Sequence, residues 1–261
     1  MTKKKIENTL LNIIVIRGIF LLLFSKISIF DLLIGEVISL IFILIYQKIN
    51  IKRFRIWQIA ILFIDTLTIM FLLSDISFFI RDNLLKHSHI LPITISFLIL
   101  CLYICYKGYH TFIKTLELSF YIILFLGVIS LILLIPYINI HNLTLPDLNI
   151  NNAIKYAITM IILFISINYL NDYKMNLLDV TISFTNIILI KVLMILTLSN
   201  TLINVFKYPY VSMFKRISFF NFLDRLENVL ALQYLFDYFI ILSLLILTIK
   251  TILAKLIKKK A

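Results

Sequence analysis

Apolar runs of membrane-crossing length recur along the whole of this sequence, and they limit its fold more sharply than any other feature. Eight of them read as candidate spans, at residues 9–24, 29–46, 57–79, 91–106, 116–137, 153–170, 177–206 and 229–249. A helix climbs about 1.5 Å per residue, so about 20 apolar residues cross a hydrocarbon layer about 30 Å thick. With 62% apolar and 15% charged residues and a mean hydropathy of +1.05, the chain has too little polar surface to cover such a core in water. Four glycines and four prolines suit long helices joined by short loops. The expected fold is an all-α, polytopic transmembrane helical bundle, a single integral membrane domain over residues 1–261 with about eight spans.

The net charge of +12 would suit nucleic acid if it formed one face, but it is scattered. Lys3, Lys4 and Lys5 stand at one end and Lys258, Lys259 and Lys260 at the other, with further cations between the apolar runs. This is topogenic charge, and no nucleic-acid partner is expected. The outer connection 138–152 has no lysine or arginine, and the other outer segments hold Lys26, Arg81, Lys86, Lys207, Lys215, Arg216 and Arg225. Lys48, Lys52, Arg53, Arg55, Lys107, Lys114 and Lys174 join the terminal lysines on the opposite side of the count. That bias places both termini in the cytoplasm and calls for an even number of spans. No cleavable signal peptide is expected, because the first run lacks a small-residue cleavage site before Lys26. Residues 208–228 alternate Met213, Ile217, Phe220 and Leu223 with Lys215, Arg216, Asp224 and Arg225. They read as an interfacial amphipathic segment.

No catalytic motif, cofactor loop or metal site is read from the sequence. His87 and His89 are spaced i, i+2 and fall on different sides of a helix. Cys101 and Cys105 lie one turn apart inside an apolar run, a poor geometry for a disulfide. Ionisable residues within apolar runs are the functional candidates, because charge in hydrocarbon is costly. These are Arg17 beside Gly18 in the first run, Asp65 and Asp75 in the third, Lys191 in the seventh and Asp237 in the eighth. They either line a polar cavity or pair across helices, Arg17 and Lys191 each with one acid; Asp75 also suits the membrane surface. Ser166 and Asn168 are polar groups of the sixth run, suited to hydrogen bonds between helices.

Two segments carry a resemblance. In 103–117, Tyr103, Lys107, Gly108 and Glu117 form a lysine-glycine turn between two spans, followed by Pro146 in the next polar loop. In 207–228, Tyr208, Pro209, Ile217, Ser218, Phe222, Arg225, Leu226 and Glu227 occur in order ahead of the last span. Together these segments resemble the B subunit of spore germinant receptors, within the amino acid–polyamine–organocation transporter superfamily. The resemblance implies a LeuT-like fold of two inverted five-helix repeats, here in a shortened and divergent form. It also implies a small-molecule nutrient ligand near a broken first and sixth helix, with Arg17, Gly18, Ser166 and Asn168 as candidate ligand-binding residues. Lys107, Gly108, Pro146, Pro209, Arg225 and Glu227 would be structural. Companion germinant-receptor membrane subunits in a bacterial cell or spore inner membrane are expected. The other functions the residues suit are a proton-coupled amino-acid transporter of the same fold and a structural membrane subunit that binds nothing.

Overall fold

The computed structural model describes residues 3–48, 55–85, 89–143, 148–170, 177–215 and 226–258. Its long helices are α1 (Lys3–Ile19, continued by a π-helical turn, Phe20–Phe24), α2 (Ile29–Lys48), α3 (Arg55–Asn83), α4 (Ile90–Lys107) and α5 (Tyr109–Leu134). They continue with α6 (Ile150–Leu170), α7 (Leu177–Val205) and α9 (Leu226–Lys258), while the short α8 (Pro209–Phe214) lies between the last two. Among the described residues no strand occurs. Seven helices are long and apolar enough to cross a membrane, and the first apolar stretch, Thr9–Phe24, is shorter.

Exposure is inverted relative to a water-soluble protein. Leu118, Tyr121, Phe125, Val128 and Ile132 form an exposed stripe down α5, and Val37, Ile41, Leu44 and Ile45 do the same on α2. Meanwhile Arg17, Asp65, Lys191, Gln233 and Asp237 are buried. That inversion fits an integral membrane protein, whose solvent is lipid.

Helix α1 is wrapped by protein: Ile14, Val15, Ile16, Phe20 and Leu21 are almost fully buried, and α5, α7 and α9 pack around it. One group of helices comprises α1, α2, α6 and α7, and a second comprises α3, α4 and α9; α9 also touches α1 and α6, and α5 bridges α1, α4 and α9. Lipid tails are as apolar as leucine, so close packing rather than exclusion of water holds helices together here. Small residues sit where that packing is closest. A Cβ on Gly35 would lie 2.8 Å from the Ala153 carbonyl oxygen of α6, and one on Gly18 would lie 2.7 Å from Ile241 Cδ1 of α9.

The turns follow local chemistry. Ser28 caps α2, its Oγ accepting from Asp31 N–H at 3.1 Å, a helix-start signal written in the sequence. Gly108 has φ +98°, a conformation that favours glycine, and joins α4 to α5 within one residue. Its N–H donates to Ile104 O. Helix α5 starts at Tyr109, a full two turns before the expected apolar run at 116, because backbone hydrogen bonds continue through Lys114 and Glu117. Residues 138–143 are tied to α7 by Asn139 N–H and Asn142 Nδ2, which both donate to Leu196 O. That carbonyl is available because α7 is broken at Ser199, where φ is 68° and ψ is 157°.

Candidate functional site

Two polar groups lie on different faces of α1, and each borders a cavity. The first gathers around Arg17. Its Nη2 donates to Tyr210 Oη at 3.1 Å and to Gln233 Oε1 at 3.2 Å, and stands 3.8 Å from Asp237 Oδ2. Tyr210 Oη in turn donates to Gln233 Oε1 at 2.5 Å. Gln233 and Asp237 are spaced i, i+4 on α9 and therefore share a face toward α1. Gly18 lets that face approach, since a Cβ there would lie 3.2 Å from Asp237 Cβ. Among the described residues neither Asp237 carboxylate oxygen has a hydrogen-bond partner, and Arg17 balances its charge through space. A cavity of 340 Å³ opens beside Arg17, Tyr210, Ser130 and Asn186.

The second group joins two residues the sequence offered separately. Ser166 Oγ on α6 donates to Asp65 on α3, at 3.1 Å to Oδ1 and 3.4 Å to Oδ2. Both residues are buried, yet Asp65 borders a cavity of 280 Å³ lined by α1, α3, α6 and α9, with Thr68 and Thr159 on its wall. Leu23, within the π-helical turn of α1, lines the same cavity. Such turns recur at functional sites because they re-aim side chains and loosen the backbone ladder.

A third cluster escaped sequence reading. Asp75 of α3 accepts hydrogen bonds from Tyr238 of α9 and, at 3.3 Å, from Tyr208, so two phenols hold its carboxylate. Burial, with the Asp75 carboxylate beside it, raises the Tyr208 phenol above its ordinary range, and burial likewise raises Tyr210 against the opposing pull of Arg17. Both phenols therefore remain neutral donors.

Of the expected ligand set, Arg17 lines one cavity and Ser166 bonds to Asp65, which lines the other. Asn168 lies on α6, but its side chain, like that of Glu227 on α9, is outside the described set, and Pro146 and Arg225 lie outside the described residues altogether. Arg17 pairs with an acid, as anticipated. Lys191 departs from that expectation: its buried Nζ donates to Ser25 O at 2.9 Å, capping the carbonyl end of α1 where a cation suits the helix dipole. Lys107 rests over the Tyr103 ring at the α4–α5 turn. Pro209 opens α8, and Tyr210, Val211, Met213 and Phe214 of that helix are all buried, so it is covered on more than the one face an amphipathic interfacial helix buries. The remainder of the expected interfacial segment, residues 216–225, lies outside the described residues.

Sequence reading passed over Tyr210, Gln233, Tyr238 and Asn186, for which no local signal exists. Aromatic and amide side chains are common in spanning helices, and only the facing helix reveals their partners. No family model, curated protein or solved structure matches the chain.

Proposed function

We propose that this chain is a membrane-embedded sensing subunit of the germinant-receptor B type, which recognises a small nutrient molecule alongside companion membrane subunits. The observation that carries this reading is the Asp65–Ser166 pair beside the partly open cavity lined by α1, α3, α6 and α9. A carboxylate and several hydroxyls in an otherwise apolar chamber suit a small polar solute whose donors replace water. The order of the segments at 103–117 and 207–228, and the division of the helices into two packed groups, support a LeuT-like arrangement in shortened form. The charge bias supports both termini cytoplasmic in a bacterial cell or spore inner membrane. Purified in detergent, the chain should show a saturable rise in Tm with one member of an amino-acid and nucleoside panel, and Asp65→Asn should remove it. No response to any member would point to the structural subunit that binds nothing. Co-purification of companion subunits tests the assembly.

One observation favours a second reading, proton-coupled transport by the same fold. Asp237 faces Arg17 with no hydrogen bond to either oxygen among the described residues, an arrangement in which gaining a proton would free the guanidinium. Uptake of the same solute into proteoliposomes, collapsing in Asp237→Asn, would favour transport over sensing.

A further inference from the structure

We propose that the cavity between α1, α5, α7 and α8 is a binding site for an uncharged amphiphile that enters sideways from the bilayer. Its outer wall is made of Leu124, Val128, Leu131 and Leu189, all about half exposed. These belong to the apolar surface that meets lipid, so the cavity opens into hydrocarbon between α5 and α7. Gly127 lines it too, and a Cβ built there meets nothing within 4 Å. The missing side chain is therefore part of the open space.

The inner end is polar. Arg17 and Tyr210 border it, and so does Asn186, whose buried Oδ1 has no hydrogen-bond partner among the described residues. Arg17 donates through Nη2 to Tyr210 and Gln233, and its guanidinium also borders the cavity. Charge decides the class of occupant. Arg17 is already balanced by Asp237 at 3.8 Å, so a carboxylate or an ammonium group would add an uncompensated charge at depth, and neither crosses hydrocarbon readily. A neutral head that both accepts and donates satisfies the guanidinium and the Asn186 amide together, and an aliphatic body fills the apolar remainder. A fatty primary amide has this chemistry. The site is separate from the Asp65 cavity and does not depend on the nutrient-sensing reading; a failed nutrient panel leaves it standing, and the reverse also holds.

The test is equilibrium binding of tritiated decanamide to the intact chain in phosphatidylcholine nanodiscs, with decanoate and decylammonium as competitors. We expect saturable binding above that of empty nanodiscs, with both charged analogues weaker by about tenfold or more, as an unpaired buried charge requires. Gly127→Leu, which grows into open space, should abolish binding with the thermal transition retained. Asn186→Leu should weaken it by about tenfold, the loss of one buried hydrogen-bonding group. Binding indistinguishable from empty nanodiscs would overturn the proposal, as would full binding by Gly127→Leu or equal affinity for either charged analogue. Occupation by a phospholipid tail alone would appear as the first of these.

Discussion

Gly35 and Gly127 carry the same side chain and opposite expectations. At Gly35 a Cβ would stand 2.6 Å from Tyr156 Cδ1 and 2.8 Å from the Ala153 carbonyl oxygen. Backbone cannot swing aside, so Gly35→Ala must push α2 from α6, at a cost of about 1–3 kcal/mol. At Gly127 nothing lies within 4 Å, and Ala is the better helix former, so Gly127→Ala should gain about 0.5–1 kcal/mol. Thermal unfolding in detergent should therefore move down for the first and up for the second. The Arg17–Asp237 pair gives a sharper contrast. Asp237→Ala strands a buried guanidinium and should cost about 3–5 kcal/mol, whereas Arg17→Met combined with Asp237→Leu should recover most of that loss. A double substitution as unstable as the single one would show that Arg17 is needed for its bonds to Tyr210 and Gln233 rather than for its charge.

Among the elements, α1 and α7 depart from regular helix, and each departure is met by a specific partner. The end of α1 passes through a π-helical turn, and Lys191 reaches across from α7 to take the Ser25 carbonyl. The break in α7 at Ser199 releases Leu196 O, which the 138–143 loop occupies through Asn139 and Asn142. Ser199 holds φ 68° and ψ 157°, a region that glycine enters freely and other residues enter only at a cost. Ser199→Gly should accordingly raise stability by about 1 kcal/mol, read as a higher Tm. Asn142→Ala should speed amide hydrogen exchange in residues 139–143 without a comparable change in α7. Both outcomes follow from a loop docked on a broken helix, and an unbroken α7 would yield neither.

For the whole molecule, the decisive property is the exchange of surface and interior. Apolar stripes face outward on α2, α3 and α5, and the charges within the spans face inward. The protein should therefore stay with membranes through high-salt and alkaline washing and leave them only with detergent. Recovery in the aqueous fraction would contradict the reading of an integral membrane protein. The two helix groups meet along α9, which contributes Gln233 and Asp237 to the Arg17 cluster and Tyr238 to the Asp75 cluster. Residues 237 and 238 point to different neighbours because consecutive helical positions are turned by about 100°, so a single helix couples both clusters.

Much of this architecture was legible in the sequence by itself. Unbroken apolar length dictates a crossing helix wherever it occurs, since the bilayer leaves backbone polar groups no other partner. Gly108 wrote the α4–α5 turn, Ser28 the start of α2, and the cost of charge in hydrocarbon picked out Arg17, Asp65, Lys191 and Asp237. Which of these would meet was not legible, and Lys191 went to a carbonyl instead of an acid. The reason is physical: lipid and protein interior are both apolar, so the pattern along a spanning helix scarcely records which face turns inward. Only the tertiary arrangement set those rotations: α1 packs against α9, which brings Asp237 to Arg17, and α6 comes near enough to α3 for Ser166 to reach Asp65.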